Sequence, residues 1–309
     1  MTTALVALIV HGGAGSHGPK SERPQRKRAM LEAVRAGAKI LRAGGSALDA
    51  VIASVVILED HPLFNAGYGS TLNYDGEVEM DASVMLAHGA ELRAGACAAV
   101  SRIKNPIRLA RAVMEQTQHA MMVGRGAERF ARQCGIEMCI PEELVAPRAR
   151  DRFLARIQRE HEAQGTVGAV ALDIHAELAA ATSTGGVPGK LPGRVGDSAI
   201  IGAGTYANAT AAASATGHGE AIIMASLCRE TVEAIGKSDL AGTARRMLGE
   251  LIAPQHHEAG IILVDRRGRI GYAHNAETME VAFVDARGAF RHELAAPIAR
   301  LKLRAAKDK

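Results

Sequence analysis

Residues 164–173 read QGTVGAVALD, a Gly-Thr pair opening an apolar, valine-containing run directly after the most charge-dense part of the chain. Two readings of Thr166 compete. As the first residue of a strand, it belongs to one continuous globular chain. As a residue exposed by breakage of the Gly165–Thr166 bond, it becomes a catalyst. A terminal threonine carries a nucleophilic hydroxyl and, in its own α-amine with a reference pKa of about 7.7–8, a base suited to neutral pH. An internal threonine has no such base, so the fate of that bond decides the chemistry.

Working outward, TVGAVALD and ELAAATSTGG flank Ile174-His175-Ala176, which predicts a hairpin of two buried strands. Upstream, PEELVAPRARDRFLARIQREHEAQG (141–165) is rich in charge and holds Pro141 and Pro147; it reads as a segment that frays or forms a mobile surface helix. At the front, ALVALIV predicts a strand ending in His11-Gly12-Gly13-Ala14-Gly15, a loop that lets the strand approach a neighbouring site closely. A helix is expected from about Pro24 to Arg42, stopped by Gly44-Gly45, and a second, apolar one over ALDAVIASVVILED, with Ser46 and Asp49 as a short capping box.

FNAGYGSTLNYDGEVEMDASVM predicts short strands with a hairpin turn at Asp75-Gly76; AGACAAVSRI predicts a strand, and NPIRLARAVMEQTQH a helix. After the central hairpin come AIIGAGTYA and ATAAASATGHG, helices from about Glu220 to Ile235 and Leu240 to Leu251, a hairpin over AGIILVDRRGRIGYAHN, and a strand at Met279–Val284. Strand pairs followed by helix pairs point to two packed sheets covered by helices, not to a parallel βαβ sheet.

The 309 residues, 48% of them hydrophobic, suffice for a large core. There is no apolar run of membrane-spanning length, and MTTALVALIVHGG lacks the basic start and cleavage site of a signal peptide, so a cytoplasmic protein with no membrane partner is expected. Net charge is only +4, and the densest basic cluster, PKSERPQRKR, has no aromatic partners; it reads as a solvated helix entrance and argues against a nucleic-acid partner. Cys97, Cys134, Cys139 and Cys228 have no C-x-x-C spacing and read as reduced, buried thiols.

Other motifs fall short. The run from Gly13 to Ser21 resembles a phosphate loop, but Pro19 removes a backbone donor and displaces Lys20 by one position. His256-His257 fits no metal pattern, and Ser198 lacks the G-x-S-x-G elbow.

GTVGAVALD, ATSTGG, KLPGRVGDS and SATGHGE, in that order, resemble the plant-type asparaginase and isoaspartyl peptidase family of N-terminal-nucleophile hydrolases; so do HGGAG, FNAGYGS with EVEMDASVM, NPIRLARAVME and IILVDRRG. The resemblance covers nearly everything except about 141–164. It implies one α+β domain over 1–309, a four-layer αββα sandwich that cuts itself between Gly165 and Thr166. The products would be an α subunit, 1–165, with a linker at about 141–165, and a β subunit, 166–309.

The resemblance assigns Thr166 as nucleophile, Thr184 as the hydrogen-bond partner of its hydroxyl, Thr216 and Gly217 as the oxyanion hole, and Asn65 as an aid to cleavage and catalysis. Arg194 and Asp197 would read the α-carboxylate and α-amine of an L-amino-acid headgroup, with Gly217 and Gly219 adding backbone contacts. The chemistry of the pair suits this: Arg grips a carboxylate through paired N–H bonds, and Asp accepts from an ammonium. In a different setting the same two residues would form an internal salt bridge.

The resemblance further implies no cofactor for the chemistry, a structural sodium ion on the main-chain carbonyls of Leu58, Glu59, His61, Phe64, Ala66 and Tyr68, and a dimer of αβ heterodimers. The expected substrates are L-asparagine and isoaspartyl (β-aspartyl) dipeptides, through a β-aspartyl ester on Thr166. The alternatives are a glycosylasparaginase-like amidase and a non-maturing amino-acid-binding protein. The chain departs from the family's commoner residues at Met85-Leu86-Ala87-His88-Gly89, Gly189 and Ala199, beside the site, where leaving-group preference would be set.

Overall fold

The structure, a computed structural model, describes residues 5–15, 19–156, 165–236, 239–284 and 288–298. The strands are β1 (Ala7–Gly15), β2 (Met80–His88), β3 (Glu91–Val100), β4 (Met121–Val123), β5 (Val167–Leu172), β6 (Leu178–Thr184), β7 (Thr205–Ala207), β8 (Ala211–Gly217), β9 (Ala259–Asp265), β10 (Ile270–His274), β11 (Thr278–Val284) and β12 (Phe290–Ala295). The helices are α1 (Arg23–Arg42), α2 (Ala47–Glu59), α3 (Pro106–Gln116), α4 (Gly124–Gln133), α5 (Pro147–Arg156), α6 (Gly219–Ala225), α7 (Leu227–Glu233) and α8 (Leu240–Met247). An eight-stranded sheet runs β12-β11-β1-β5-β6-β2-β3-β4, antiparallel except for the β3–β4 pair, and a four-stranded sheet runs β10-β9-β8-β7.

Alternation along the central strands explains how the layers form. Leu8 and Val10 of β1, with Val167 and Ala169 of β5, join the apolar side chains of α1, α2 and α3 in one buried cluster. The intervening Ala7, Ile9, Val170 and Leu172 face the other way and pack with Ala212, Ile262 and Val264 of the smaller sheet. That sheet's opposite face, Ala213, Ala215, Ile261 and Leu263, is covered by Ile222, Leu227, Val232, Leu240 and Leu248. Strands buried on both faces have no polar side to show, which is why β1 and β5 read as continuous apolar runs. Each fully buried aliphatic side chain here contributes about 1.5–3 kcal/mol.

The central hairpin forms as read, with Leu172 opposite Leu178 and Val167 opposite Ser183. The Ser46 cap is present: Asp49 N–H donates to Ser46 Oγ at 3.0 Å. The Asp75-Gly76 turn exists, but it joins only the isolated bridge Leu72–Val78. AIIGAGTYA yields only the short β7. The expected helix from Glu220 to Ile235 is broken at Ser226, which sits at φ 46°. The cause is tertiary: the Cys228 and Arg229 amides, at the start of α7, donate to Ala203 and Gly202 carbonyls instead of continuing α6. The helix expected over Leu240–Leu251 ends at Met247 and continues as a wider π turn.

Within the charged segment, α5 is anchored by buried Leu144 before it and by an Arg148–Glu22 ion pair of 2.8 Å. The rest of the expected linker, 157–164, lies outside the described residues. Cys97 and Cys228 are buried, whereas Cys134 and Cys139 are only half-buried, contrary to the sequence reading. Among the described residues no helix is long and apolar enough to cross a membrane.

The basic cluster before α1 is not uniformly solvated. Arg26 is buried, donating from Nε to Glu280 of β11 at 2.7 Å and from Nη2 to the Gly12 carbonyl at 3.0 Å, and its guanidinium lies over the Phe64 ring at 4.4 Å. Local composition could not reveal this, because the acidic partner is 254 residues away. Arg26→Ala, which strands a buried Glu280 carboxylate, is expected to lower unfolding free energy by about 3–5 kcal/mol. Urea denaturation monitored by circular dichroism reads this directly; a loss below about 1 kcal/mol would contradict it.

Candidate active site

The β5–β6 register sets Thr166, one residue before β5, beside Thr184, the last residue of β6. The Thr166 hydroxyl, almost fully buried, donates to Thr184 Oγ1 at 3.2 Å, and Thr184 Oγ1 also accepts the Gly186 amide at 3.0 Å. With two bonds accepted, the Thr184 hydroxyl keeps its own proton to donate elsewhere. Asn65 fixes the turn beyond: its Nδ2 donates to Gly186 O at 2.6 Å, its carbonyl accepts the Gly185 amide at 3.0 Å, and its Oδ1 accepts from Thr71 N at 2.9 Å. Asn65 therefore acts on Thr184 through the backbone that Thr184 touches.

The other wall is β1. Its pairing to β11 is irregular between His11 and Ala14, where Gly12-Gly13 bulges, and Gly13 takes φ 109°. The bulge presses Gly13 against Gly165: a Cβ on either would overlap the other's backbone, with Gly165 C only 2.9 Å from the Gly13 position. Only glycine at both positions permits this approach. Next along, the Ala14 amide donates to Thr216 Oγ1 at 3.3 Å, which brings the buried hydroxyl of β8 to the same end of β1. Gly217 follows it at φ 137°.

The third group sits in the loops after β6 and β8. Asp197 is buried; its Oδ2 has no hydrogen-bond partner, and burial pushes its pKa up to about 7, with Arg194 pulling it down. Gly219 packs against both, since a Cβ there would lie 2.6 Å from Arg194 Nη2 and 3.0 Å from Asp197 Oδ1. Among the described residues Arg194 makes its ion pair with Glu220, Nε to Oε1 at 2.9 Å, not with Asp197. The internal Arg194–Asp197 bridge weighed from sequence is thus not what forms, and a site with one positive and one negative group, each able to take a further partner, remains.

Sequence reasoning missed the residues that hold this loop. Asp81 of β2 is buried and accepts from Ala99 N at 3.0 Å and Gly196 N at 2.9 Å, while burial raises its pKa. Lys190 is buried too, donating to Glu79 O at 2.8 Å, its pKa lowered by burial. The available signal was a single Asp inside an apolar strand, EVEMDASVM, where a carboxylate needs backbone partners to be tolerated.

The turns after α2 bring carbonyl groups together: a Cβ on Gly69 would overlap the Phe64 oxygen and lie 3.0 Å from that of Pro62 and 3.1 Å from that of His61. Likewise a Cβ on Gly67 would overlap the Glu59 oxygen. His61, Ala66 and Leu58 carbonyls each accept one backbone amide, leaving a second lone pair. Among the described residues, no cluster of three or more His, Cys, Asp or Glu side chains is arranged to hold a metal.

The family model described as asparaginase matches residues 4–292. Similar proteins include the isoaspartyl peptidase/L-asparaginase of Bos taurus, 46% identical over 84% of this chain and 87% of its own. The plant-type L-asparaginase of Pyrococcus abyssi is 44% identical over 91% and 96%, and the isoaspartyl peptidase of Escherichia coli is 42% identical over 88% and 90%.

The chain belongs to the asparaginase family.

Of the residues that the family resemblance singles out here, Thr166, Thr184 and Asn65 form one connected set, and Arg194, Asp197 and Gly219 another; Thr216 stands at the β1 end between sheets. In this asparaginase-family chain Asp81→Ala is expected to orphan two amides and cost about 2–4 kcal/mol in urea denaturation. Amide exchange at Gly196 should rise with it; unchanged protection there would remove Asp81 as the loop's anchor.

Proposed function

We propose that the chain is an isoaspartyl peptidase and L-asparaginase that activates itself by cutting its Gly165–Thr166 bond. The observation that carries this reading is the buried Thr166 hydroxyl, bonded to Thr184, on a peptide pressed against Gly13. In maturation, Thr166 Oγ attacks the Gly165 carbonyl carbon, the C–N bond breaks, and the nitrogen takes a proton. Water then hydrolyses the resulting Gly165–Thr166 ester, leaving a carboxylate and a free α-amine.

In turnover the same oxygen attacks the side-chain amide carbon of the substrate, with the α-amine accepting its proton. Ammonia leaves from L-asparagine, or the amino group of the second residue from an isoaspartyl dipeptide, taking a proton as it goes. Water hydrolyses the β-aspartyl ester on Thr166. Thr216 Oγ1 and the Gly217 amide are the proposed donors to the tetrahedral oxygen; loss of one such donor costs about 2.7–4 kcal/mol of transition-state stabilisation. Arg194 binds the substrate carboxylate, Asp197 its ammonium, and Gly219 lines the same wall.

The proposed architecture is the four-layer αββα sandwich, one domain whose 1–165 and 166–309 parts stay interleaved, since β1, β2 and β3 share a sheet with β5 and β6. The inward-crowded carbonyls after α2 fit a structural sodium ion held by Leu58, Glu59, His61, Phe64, Ala66 and Tyr68, which would supply charge compensation to the loop carrying Asn65. A dimer of αβ units belongs to the proposal as well.

Three outcomes are expected. Wild-type protein should release ammonia from L-asparagine and cleave β-aspartyl dipeptides, while Thr166→Ala does neither; an active Thr166→Ala enzyme would refute the nucleophile. Arg194→Ala should raise KM for L-asparagine by about tenfold or more, from loss of a charge-assisted pair, and leave self-cleavage intact. Because Asp197 must be ionised to hold an ammonium, and burial sets its pKa at about 7, affinity for L-aspartate should fall as pH drops below that value. The slope should approach about tenfold per pH unit. Calorimetry from pH 5 to 8 measures it, and a flat profile would take Asp197 out of ammonium binding.

A further inference from the structure

A chain of hydroxyls crosses the interface between the two sheets. Ser83 Oγ of β2 donates to Thr205 Oγ1 of β7 at 2.8 Å, and Thr205 Oγ1 donates to Thr182 Oγ1 of β6 at 2.6 Å. Thr182 Oγ1 lies 2.8 Å from Ser214 Oγ of β8, which lies 2.9 Å from His11 Nε2 of β1. All five residues are fully buried. The far end touches the substrate loop, since Ser83 Oγ also lies 2.6 Å from the carbonyl of Ser198, the neighbour of Asp197.

The near end touches the nucleophile. Burial lowers the His11 pKa to about 3, so the ring is neutral, and the Thr166 backbone is the group that favours its protonated form. A backbone group that does so must be an acceptor, hence the Thr166 carbonyl. Nε2 is engaged by Ser214, and Nδ1 has no partner of ordinary hydrogen-bond geometry elsewhere. The tautomer that satisfies both sides puts the proton on Nδ1, toward Thr166, and makes Nε2 the acceptor of the Ser214 hydroxyl.

One proton order then serves every link: Ser83 to Thr205, Thr205 to Thr182, Thr182 to Ser214, Ser214 to His11. Such chains polarise one another, so each link strengthens the next. A polar row between two apolar faces is costly unless complete, and nothing in the packing of alanines around it calls for one. Gly168, opposite His11, leaves the room: a Cβ there would lie within overlap of Ser214 Oγ and His11 Nε2.

We infer that His11 is a positioning residue for Thr166, and that this hydroxyl relay couples the nucleophile's backbone to the loop that carries Asp197. By holding the Thr166 carbonyl, His11 fixes the rotation of the residue whose hydroxyl must reach Gly165 before cleavage and the substrate after it. The inference rests on the proposed self-cleavage.

Thr182→Val removes one hydroxyl at nearly constant volume, and Thr182→Ser keeps it. Maturation followed by intact mass, and L-asparagine kinetics on whatever has matured, are the readouts. Thr182→Val should mature about tenfold more slowly, with kcat lowered and KM raised together, and Thr182→Ser should recover most of both. His11→Phe should slow maturation further and leave the pH profile without any new limb between pH 5 and 8. Thr182→Val that only lowers the melting temperature, with maturation and KM unchanged, overturns the relay. If His11→Phe does not fold, Ser214→Ala paired with Ser214→Thr carries the same comparison, with equal maturation in both as the contradicting result. A wild-type chain that never cuts overturns the proposed function, and this inference with it; a wild type that cuts beside an unaffected Thr182→Val overturns the relay alone.

Discussion

The site depends on how closely β1 passes residue 165. Gly13 and Gly165 meet backbone to backbone at a bulge, a contact that a methyl group on either would prevent. Because β1 and β5 are neighbours in the middle of the larger sheet, with both faces buried, neither can move aside. Thr166 is thus set by sheet register and not by a loop. Its hydroxyl meets Thr184 for the same reason, since pairing of Val167 with Ser183 leaves the next residues on each strand side by side. Interiors packed at crystal-like density deform little, which is what a nucleophile held to a fraction of an ångström requires.

Around that fixed point the fold leaves polar groups short of partners. Asp197 has a bare, buried oxygen, and Arg194 is held by an exposed Glu220. A buried carboxylate without full compensation costs stability, and such sites persist where a ligand completes them. The neighbouring polar groups are satisfied instead: Asp81 by two amides, Asn65 by three backbone groups. Satisfied residues hold the loops, and unsatisfied ones await a headgroup.

Much of this was legible in the sequence where local patterns carry the information. The β5–β6 hairpin, the Ser46 cap and the glycine loop after β1 follow from alternation, capping chemistry and backbone freedom. The roles of Thr184, Arg194 and Asp197 came from an ordered set of short motifs, none of them sufficient alone. What stayed hidden has tertiary causes. Arg26 looked solvated because Glu280 is remote in sequence; the break at Ser226 arises from carbonyls at 202 and 203; β4, α4 and β12 carry little pattern of their own. His11 was read as part of a close approach, but its link through Ser214 and Thr182 to the Ser198 turn needed both sheets in place.

The central claim is that Thr166 acts as a new amino terminus. Intact-mass spectrometry of freshly purified protein, followed over hours and paired with ammonia release from L-asparagine, tests it most directly. The account predicts two fragments, the smaller beginning TVGAVALD, with activity rising in step with their appearance. A single uncut species that releases ammonia at full rate would contradict it.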